Sequence, residues 1–290
     1  MTASEVTAEF ATKRYVQAGR ARVCYRRAGQ GPALVLLHGF PLSGLTWRKV
    51  VPALAQHFTC YALDQVGLGD TTSPVANDFS SEGQGAVFQQ ALRALGVSSY
   101  ALMGNDTGGW NARELALLEP QNVTHLVLTN TEIPGHRPPW IPLYQGLAAL
   151  PGAGFVFRQV LASRFMRRSP LGFGGCFTNL DLIDGEFTDL FVAPLLAEPV
   201  RIVSLCEFLV QMKFARLDRF AELHGHLTMP VSMVWGAADP TFPEATARAM
   251  MPQFPNVAGF HAIAGGKLLI QEEFADELAA LTLSVLPRPS

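Results

Sequence analysis

Charge is scarce in this sequence. Only 16% of its 290 residues are Asp, Glu, Lys or Arg, and the formal net charge is −2. There is no basic field for nucleic acid and no acidic tail. Cysteine is equally sparse. Cys24, Cys60, Cys176 and Cys206 lie far apart with no Cys-x-x-Cys pair, so reduced, mostly buried thiols in a cytoplasmic protein are expected. No apolar run approaches the ~20 residues that span a bilayer. Residues 1–13 mix Ser, Thr and Glu without an apolar core and do not read as a signal peptide. No His/Cys/Asp/Glu cluster has ligand spacing, so neither a metal nor an organic cofactor is expected. The expected partner is a small-molecule substrate, with no nucleic acid and no membrane; oligomeric state is not encoded in any visible pattern.

Apolar residues, by contrast, are plentiful. Hydrophobic residues make up 49% of the chain, enough for a large core and too many for intrinsic disorder. Segments 22–27, 33–37, 58–63, 100–103 and 125–129 read as strands. The later ones are continuous apolar runs, as in strands covered on both faces of a parallel sheet. Between them, 47–56, 83–95 and 111–118 carry apolar residues at helical spacing. This alternation predicts an α/β fold with a doubly wound, mostly parallel sheet. From Ile133 the texture changes: Pro134, Pro138, Pro139 and Pro142 interrupt regular structure, and 152–222 reads as helices and loops with ten phenylalanines. Strand patterns resume at 231–235 and 259–263, and 274–286 closes as an amphipathic helix. The domain reading is a core of residues 1–133 and 229–290 with an inserted helical cap at 134–228.

Three motifs carry chemistry. Gly104-Asn105-Asp106-Thr107-Gly108-Gly109 follows a strand and opens a helix, the pattern of a nucleophile elbow with Asp at its centre. At a helix N-terminus the carboxylate is expected to stay ionised, and a carboxylate can attack an sp³ carbon bearing a leaving group. Taken alone, Asp106 could also simply cap its helix. His38-Gly39-Phe40-Pro41 follows an apolar strand, and the backbone amides of Phe40 and Thr107 could form a two-donor oxyanion hole; a tight turn without a role is the alternative. Asp64 to Asp70 carries Gly67 and Gly69, but the third glycine of a dinucleotide loop falls on Thr72, which argues against that cofactor.

These motifs, with Trp47 and Arg48, Trp235-Gly236-Ala237-Ala238-Asp239-Pro240 and the stretch from Gly265 to Glu273, occur in an order that resembles the epoxide hydrolase and haloalkane dehalogenase branch of the α/β-hydrolases. The resemblance covers nearly all of the chain except the cap. It implies an α/β-hydrolase fold with Asp106 as nucleophile and Asp239 as the acid of the triad. Lys267 then stands where the family carries its histidine base. The resemblance also implies departures. Thr107 replaces the halide-binding Trp of haloalkane dehalogenases, and neither Thr107 nor Trp110 is the Arg of fluoroacetate dehalogenases. The cap offers only Tyr144 where epoxide hydrolases use two tyrosines, with His136 as a substitute donor. His38, Trp110, His136, Trp140 and Tyr144 are the candidate substrate-binding residues. The phenylalanines suit either an apolar substrate or a plain core.

A lysine between Asp106 and Asp239 is expected to form a paired ammonium, which cannot take a proton from water. Three outcomes stay open: an ester on Asp106 that hydrolyses slowly or through another base; a lyase, isomerase or cyclase using Asp106 and Lys267 as an acid/base or electrostatic pair; or a binding protein on an inactive hydrolase scaffold. The sequence reads the same whether the lysine is native or an introduced substitution that arrests turnover.

Overall fold

The structure is a computed structural model that describes residues 2–73 and 78–287. Met1, residues 74–77 and residues 288–290, including the ends of the two core ranges expected above, lie outside the described residues. Eight strands form one sheet: β1 (Arg14–Ala18), β2 (Ala21–Ala28), β3 (Ala33–Leu37), β4 (Thr59–Leu63), β5 (Tyr100–Asn105), β6 (Val123–Thr129), β7 (Val231–Gly236) and β8 (Val257–Ile263). Their spatial order is β1-β2-β4-β3-β5-β6-β7-β8. β1 and β2 pair antiparallel, β2 meets β4 antiparallel, and every later pairing is parallel.

The central strands are buried throughout because helices cover both faces. β5 and β7 have no exposed residue, which is why they read as continuous apolar runs. Alternate residues serve opposite layers. Val35, Leu37 and Leu102 join the cluster shared with the helices between β6 and β7, whereas Leu34, Leu36 and Met103 join the cluster under the terminal helices.

Several elements differ from the sequence reading. β1 is an edge strand with alternating exposure, so it lacks the apolar run that marks its neighbours. The helix Ala3–Ala11 was not expected; a capping box between Thr2 and Glu5 opens it, and Val6 and Phe10 bury its inner face. The helix expected at 47–56 is instead a 3₁₀ turn at Gly44–Lys49 followed by one helical turn at Val51–Leu54. Pro52 lacks an N–H and is tolerated only in a first helical turn, so the chain restarts there. The helix Thr107–Leu118 begins four residues before the expected start.

Between β6 and β7 the described residues carry helices and no strand, from Trp140–Ala148 to His224–His226. Side chains tie this insertion to the core. Arg48 donates from Nη1 to buried Glu272 Oε1 at 2.7 Å and from Nη2 to Glu186 Oε2 of the insertion at 2.7 Å. Glu273 accepts from the Thr178 and Asn179 amides at 2.9 and 2.6 Å. No helix among the described residues is long and apolar enough to cross a membrane.

Because Glu272 is buried and Glu186 exposed, the two halves of the Arg48 bridge carry unequal weight. Among the described residues, Arg48→Ala leaves Glu272 with only Lys49 at 3.4 Å as a cation, and it is expected to cost roughly 2–4 kcal/mol. Glu186→Ala is expected to cost less than about 1 kcal/mol. Urea unfolding of both variants checks the difference.

Candidate active site

Asp106 sits at the junction of β5 and the helix Thr107–Leu118, with φ 51° and ψ −134°. That backbone conformation strains a residue bearing a Cβ, and several bonds hold it. The Asp106 amide donates to Asn130 O at 2.9 Å, the Thr131 hydroxyl donates to Asp106 O at 2.8 Å, and the Gly109 amide donates to the same oxygen at 2.7 Å. Close packing explains two of the glycines. A Cβ at Gly108 would lie 2.3 Å from Leu37 O, and one at Gly39 would lie 2.5 Å from Asp106 Cβ. The loop after β3 therefore closes over the elbow.

That closure places the Phe40 amide 2.8 Å from Asp106 Oδ2. The Phe40 amide thus holds the carboxylate of Asp106, and the Thr107 amide acts on the same group from the start of the helix. Burial pushes the Asp106 carboxyl upward while the Thr107 and Phe40 amides act against it. Desolvation thus opposes the ionised form expected of Asp106 at the helix N-terminus, and the two amides favour it.

Asp239, in the loop after β7, is buried. It accepts from Asn130 Nδ2 at 2.8 Å and from the Thr241 amide at 2.8 Å. Burial pushes it up to about 7, against these hydrogen bonds. Asn130, at φ 29°, also donates to Gly236 O and accepts from the Gly236 amide, locking the loop that carries Asp239.

Lys267 is paired with neither carboxylate. Among the described residues it has no ion pair within 4.0 Å, and its ammonium donates to Phe177 O of the insertion at 3.0 Å. The expected Asp106–Lys267–Asp239 pairing is therefore corrected. Both carboxylates already hold internal donors, and the Phe177 carbonyl offers the ammonium a partner at the cavity wall. The corner is stitched to the insertion on either side: the Leu269 amide donates to Cys176 O at 3.2 Å, and the Thr178 hydroxyl bonds Gly265 O.

Above Asp106 opens a cavity of about 550 Å³, lined by Phe40, Asp106, Thr107, Glu132, His136, Trp140, Tyr144 and Lys267, and otherwise mostly by apolar side chains of the insertion. His136, Trp140 and Tyr144 reach it as expected. Their polar atoms are partly engaged elsewhere: His136 Nε2 lies 2.8 Å from Thr241 O, and the Tyr144 hydroxyl donates to Leu171 O at 2.7 Å. The ten phenylalanines divide. Phe157, Phe173 and Phe214 line the cavity, Phe177, Phe187, Phe191, Phe208 and Phe220 are buried, and Phe155 and Phe165 are exposed.

Two expected substrate contacts do not reach the cavity. His38 is fully buried; its Nε2 accepts from the Gln65 amide at 3.0 Å, which leaves Nδ1–H to bond Gly39 O at 2.9 Å. Desolvation lowers its pKa and favours the neutral ring. It braces the loop rather than touching a substrate. Trp110 is buried behind the cavity, packed near Leu217 and Phe220, with its ring 6.2 Å from that of Phe214.

Glu132 escaped the sequence reading. It follows β6 at the carboxyl end of the parallel sheet, where ligand-contacting residues gather, and that position was the available signal. It is 3% exposed, lines the cavity, and its Oε2 lies 2.9 Å from Thr131 Oγ1. Burial and the Asp106 charge raise its pKa strongly.

One group among the described residues has metal-type ligand atoms close together: Cys24, Asp64 and Asp70. It does not suit a cation. Asp64 accepts from the Gly44 and Asp70 amides at 2.7 and 2.8 Å, and Asp70 pairs with Lys13, Arg201 and Arg26.

The family model described as alpha/beta hydrolase fold matches residues 32–156. The ligand-free structure of epoxide hydrolase CorEH superposes with a TM-score of 0.81 over 94% of this chain and 98% of that one, at 24% identity. This chain has the α/β-hydrolase fold. By sequence it is similar to a fluoroacetate dehalogenase from a Burkholderia species, 32% identical over 120 residues, which is 40% of each chain. It is also similar to a soluble epoxide hydrolase from Corynebacterium sp. strain C12, 41% identical over 88 residues, which is 30% of each chain. The matched segments thus span less than half the length of either curated relative.

The raised pKa of Glu132 has a consequence for stability. A carboxyl whose folded pKa is raised contributes stability that is present below its unfolded pKa and lost as pH rises through the folded value. Glu132→Gln removes that loss. The variant is expected to melt above the wild type at roughly pH 9, with the difference gone at roughly pH 4; thermal denaturation at both pH values checks this.

Proposed function

We propose that this α/β-hydrolase-fold protein acts on a small-to-medium apolar substrate bearing an epoxide, halide or ester-like group, with Asp106 attacking carbon to form a covalent ester. The observation that carries this reading is the seating of Asp106: the Phe40 amide holds one oxygen of its carboxyl group, with the Thr107 amide next to it, at the wall of a largely apolar cavity. A carboxylate oriented in this way through one oxygen presents the other to a substrate above it. After attack, the same two amides face the ester carbonyl and can stabilise the oxyanion formed when water adds to it.

The apolar lining favours an epoxide or a long alkyl halide over a charged substrate, since an unpaired charge is costly to desolvate there. Similarity to a soluble epoxide hydrolase and a fluoroacetate dehalogenase supports displacement at carbon as the reaction type. Lys267, bonded to Phe177 O, has the place but not the contacts of a base. In this reading it faces the cavity as a cation near the departing group, while Asp239 remains an acid held by Asn130 and Thr241.

Incubation with an apolar epoxide such as styrene oxide, followed by intact-mass and peptide mapping, is expected to give a single adduct on Asp106. Asp106→Ala is expected to abolish it. Absence of an adduct in the wild type, with product that contains no solvent oxygen, would overturn the covalent reading in favour of lyase or isomerase chemistry. Absence of any product from the substrate panel, with ligand-induced stabilisation, would leave a binding role. Lys267→His is expected to raise diol release at least ~10-fold by supplying a base able to accept a proton near neutral pH; single-turnover release of the adduct measures it.

A further inference from the structure

The proposed ester chemistry needs a proton for an epoxide oxygen and a base for the hydrolytic water. Neither Lys267, bonded to Phe177 O, nor Tyr144, donating to Leu171 O, is positioned free for both tasks. Asp239 lies outside the cavity lining and is already held by internal donors.

We propose that Glu132 is the acid and base of this site, a role that rests on Asp106 acting as nucleophile. Glu132 and Asp106 are the two carboxyl groups of the cavity wall among the described residues. They are held in register by one hydroxyl: Thr131 Oγ1 lies 2.8 Å from the Asp106 carbonyl oxygen and 2.9 Å from Glu132 Oε2. Glu132 has no cation within 4.0 Å among the described residues. The buried Arg113 behind it directs its guanidinium to Gly109 O, to Thr131 Oγ1, to the Glu132 carbonyl and toward His224 rather than to the Glu132 carboxyl group. The Glu132 carboxyl group is therefore buried with no cation bonded to it and within the influence of a second carboxylate, the setting in which one of two acids keeps its proton.

Titratable and charged groups approach this pair from every side. Asp106 stands on the elbow, Arg113 and its neighbour His224 behind it, and His136 follows β6. Tyr144 and Cys176 come from the insertion, and Asp239 and Lys267 from the loops after β7 and β8. Asp106 raises the Glu132 pKa and Arg113 lowers it, with burial the largest influence.

The steps balance. Asp106 as carboxylate forms a C–O bond to a ring carbon, the ring C–O bond breaks, and Glu132 transfers its proton to the released oxygen. This gives a hydroxy-ester and a Glu132 carboxylate. That carboxylate takes a proton from water as its oxygen adds to the Asp106 ester carbonyl, restoring the Glu132 acid. The tetrahedral oxyanion, held by the Phe40 and Thr107 amides, collapses with cleavage of the acyl C–O bond. The departing alkoxide takes the proton of the regenerated Asp106 acid, leaving a diol and the Asp106 carboxylate.

An epoxide needs this proton and a bromide leaving group does not, which supplies the test. Single-turnover alkylation of Asp106 is followed by intact mass with styrene oxide and with 1-bromohexane, in wild type and Glu132→Gln. The expected result is an epoxide reaction slowed on the order of 100-fold, with the bromide reaction within about threefold of wild type. Equal slowing with both probes, or no slowing with either, overturns the role of Glu132 and leaves Asp106 as nucleophile. Wild-type protein that forms no adduct with either probe overturns the Asp106 reading and this one with it. Should the variant fail to fold, the wild-type pH profile decides. Loss of epoxide alkylation on the alkaline side, without loss of bromide alkylation, supports the role; parallel profiles overturn it.

Discussion

Desolvation of carboxyl groups at one end of the sheet is the constraint on which this structure turns. Asp106, Glu132 and Asp239 are all at most 8% exposed, and none has a cation within 4.0 Å among the described residues. A buried carboxylate without a counter-charge survives only on hydrogen bonds. The fold supplies them unequally. The Asp106 carboxylate receives the Phe40 amide, Asp239 an amide and a carboxamide, and Glu132 only a hydroxyl that it shares with Asp106 O. Burial raises the pKa of all three, and the hydrogen bonds oppose it.

The donors in turn depend on backbone placed by the sheet. Asn130 and Thr131, at the end of β6, serve Asp239 on one side and Asp106 and Glu132 on the other. Asn105, at the end of β5, donates to Leu268 O at 3.0 Å and accepts from Gln271 at 3.0 Å. The elbow and the corner bearing Lys267 are therefore one bonded unit. Parallel strands ending at a common edge make such linkage possible, because their loops emerge side by side.

Much of this was legible in the sequence because it depends on local pattern. Apolar runs marked the central strands, and Gly104 and Gly108 around Asp106 marked the elbow. Phe40 and Thr107 were identifiable as amide donors because the fold fixes backbone positions more tightly than side-chain partners. What escaped was set by tertiary neighbours. A lysine in the slot of a base suggested pairing with two carboxylates, but the Phe177 carbonyl, ninety residues away in sequence, takes the ammonium. His38 looked like a substrate contact until the Gln65 amide claimed its ring. Glu132 carries no glycine pattern and no motif; only its place after a parallel strand marked it, and its burial comes from tertiary neighbours.

The insertion is fastened unevenly, and this bears on the cavity wall. Residues 176–179 are stitched to the Lys267 corner. Gln211 meets the Phe79 amide at 3.0 Å, Arg201 meets Asp70 at 3.0 Å and Arg216 meets Glu114 at 2.6 Å. The helices Trp140–Ala148 and Ala153–Ala162 have no such anchor. Among the described residues, the polar side-chain bonds of Tyr144, Gln145 and Arg158 end on Leu171, Leu209, Met212 and Leu196, within the insertion itself. Displacing that pair breaks no ion pair to the core, whereas lifting the whole insertion breaks several. The helices carrying Trp140 and Tyr144 thus form the wall of the cavity with the fewest polar ties to the core, and substitutions there change the cavity without touching the bonds that hold Asp106.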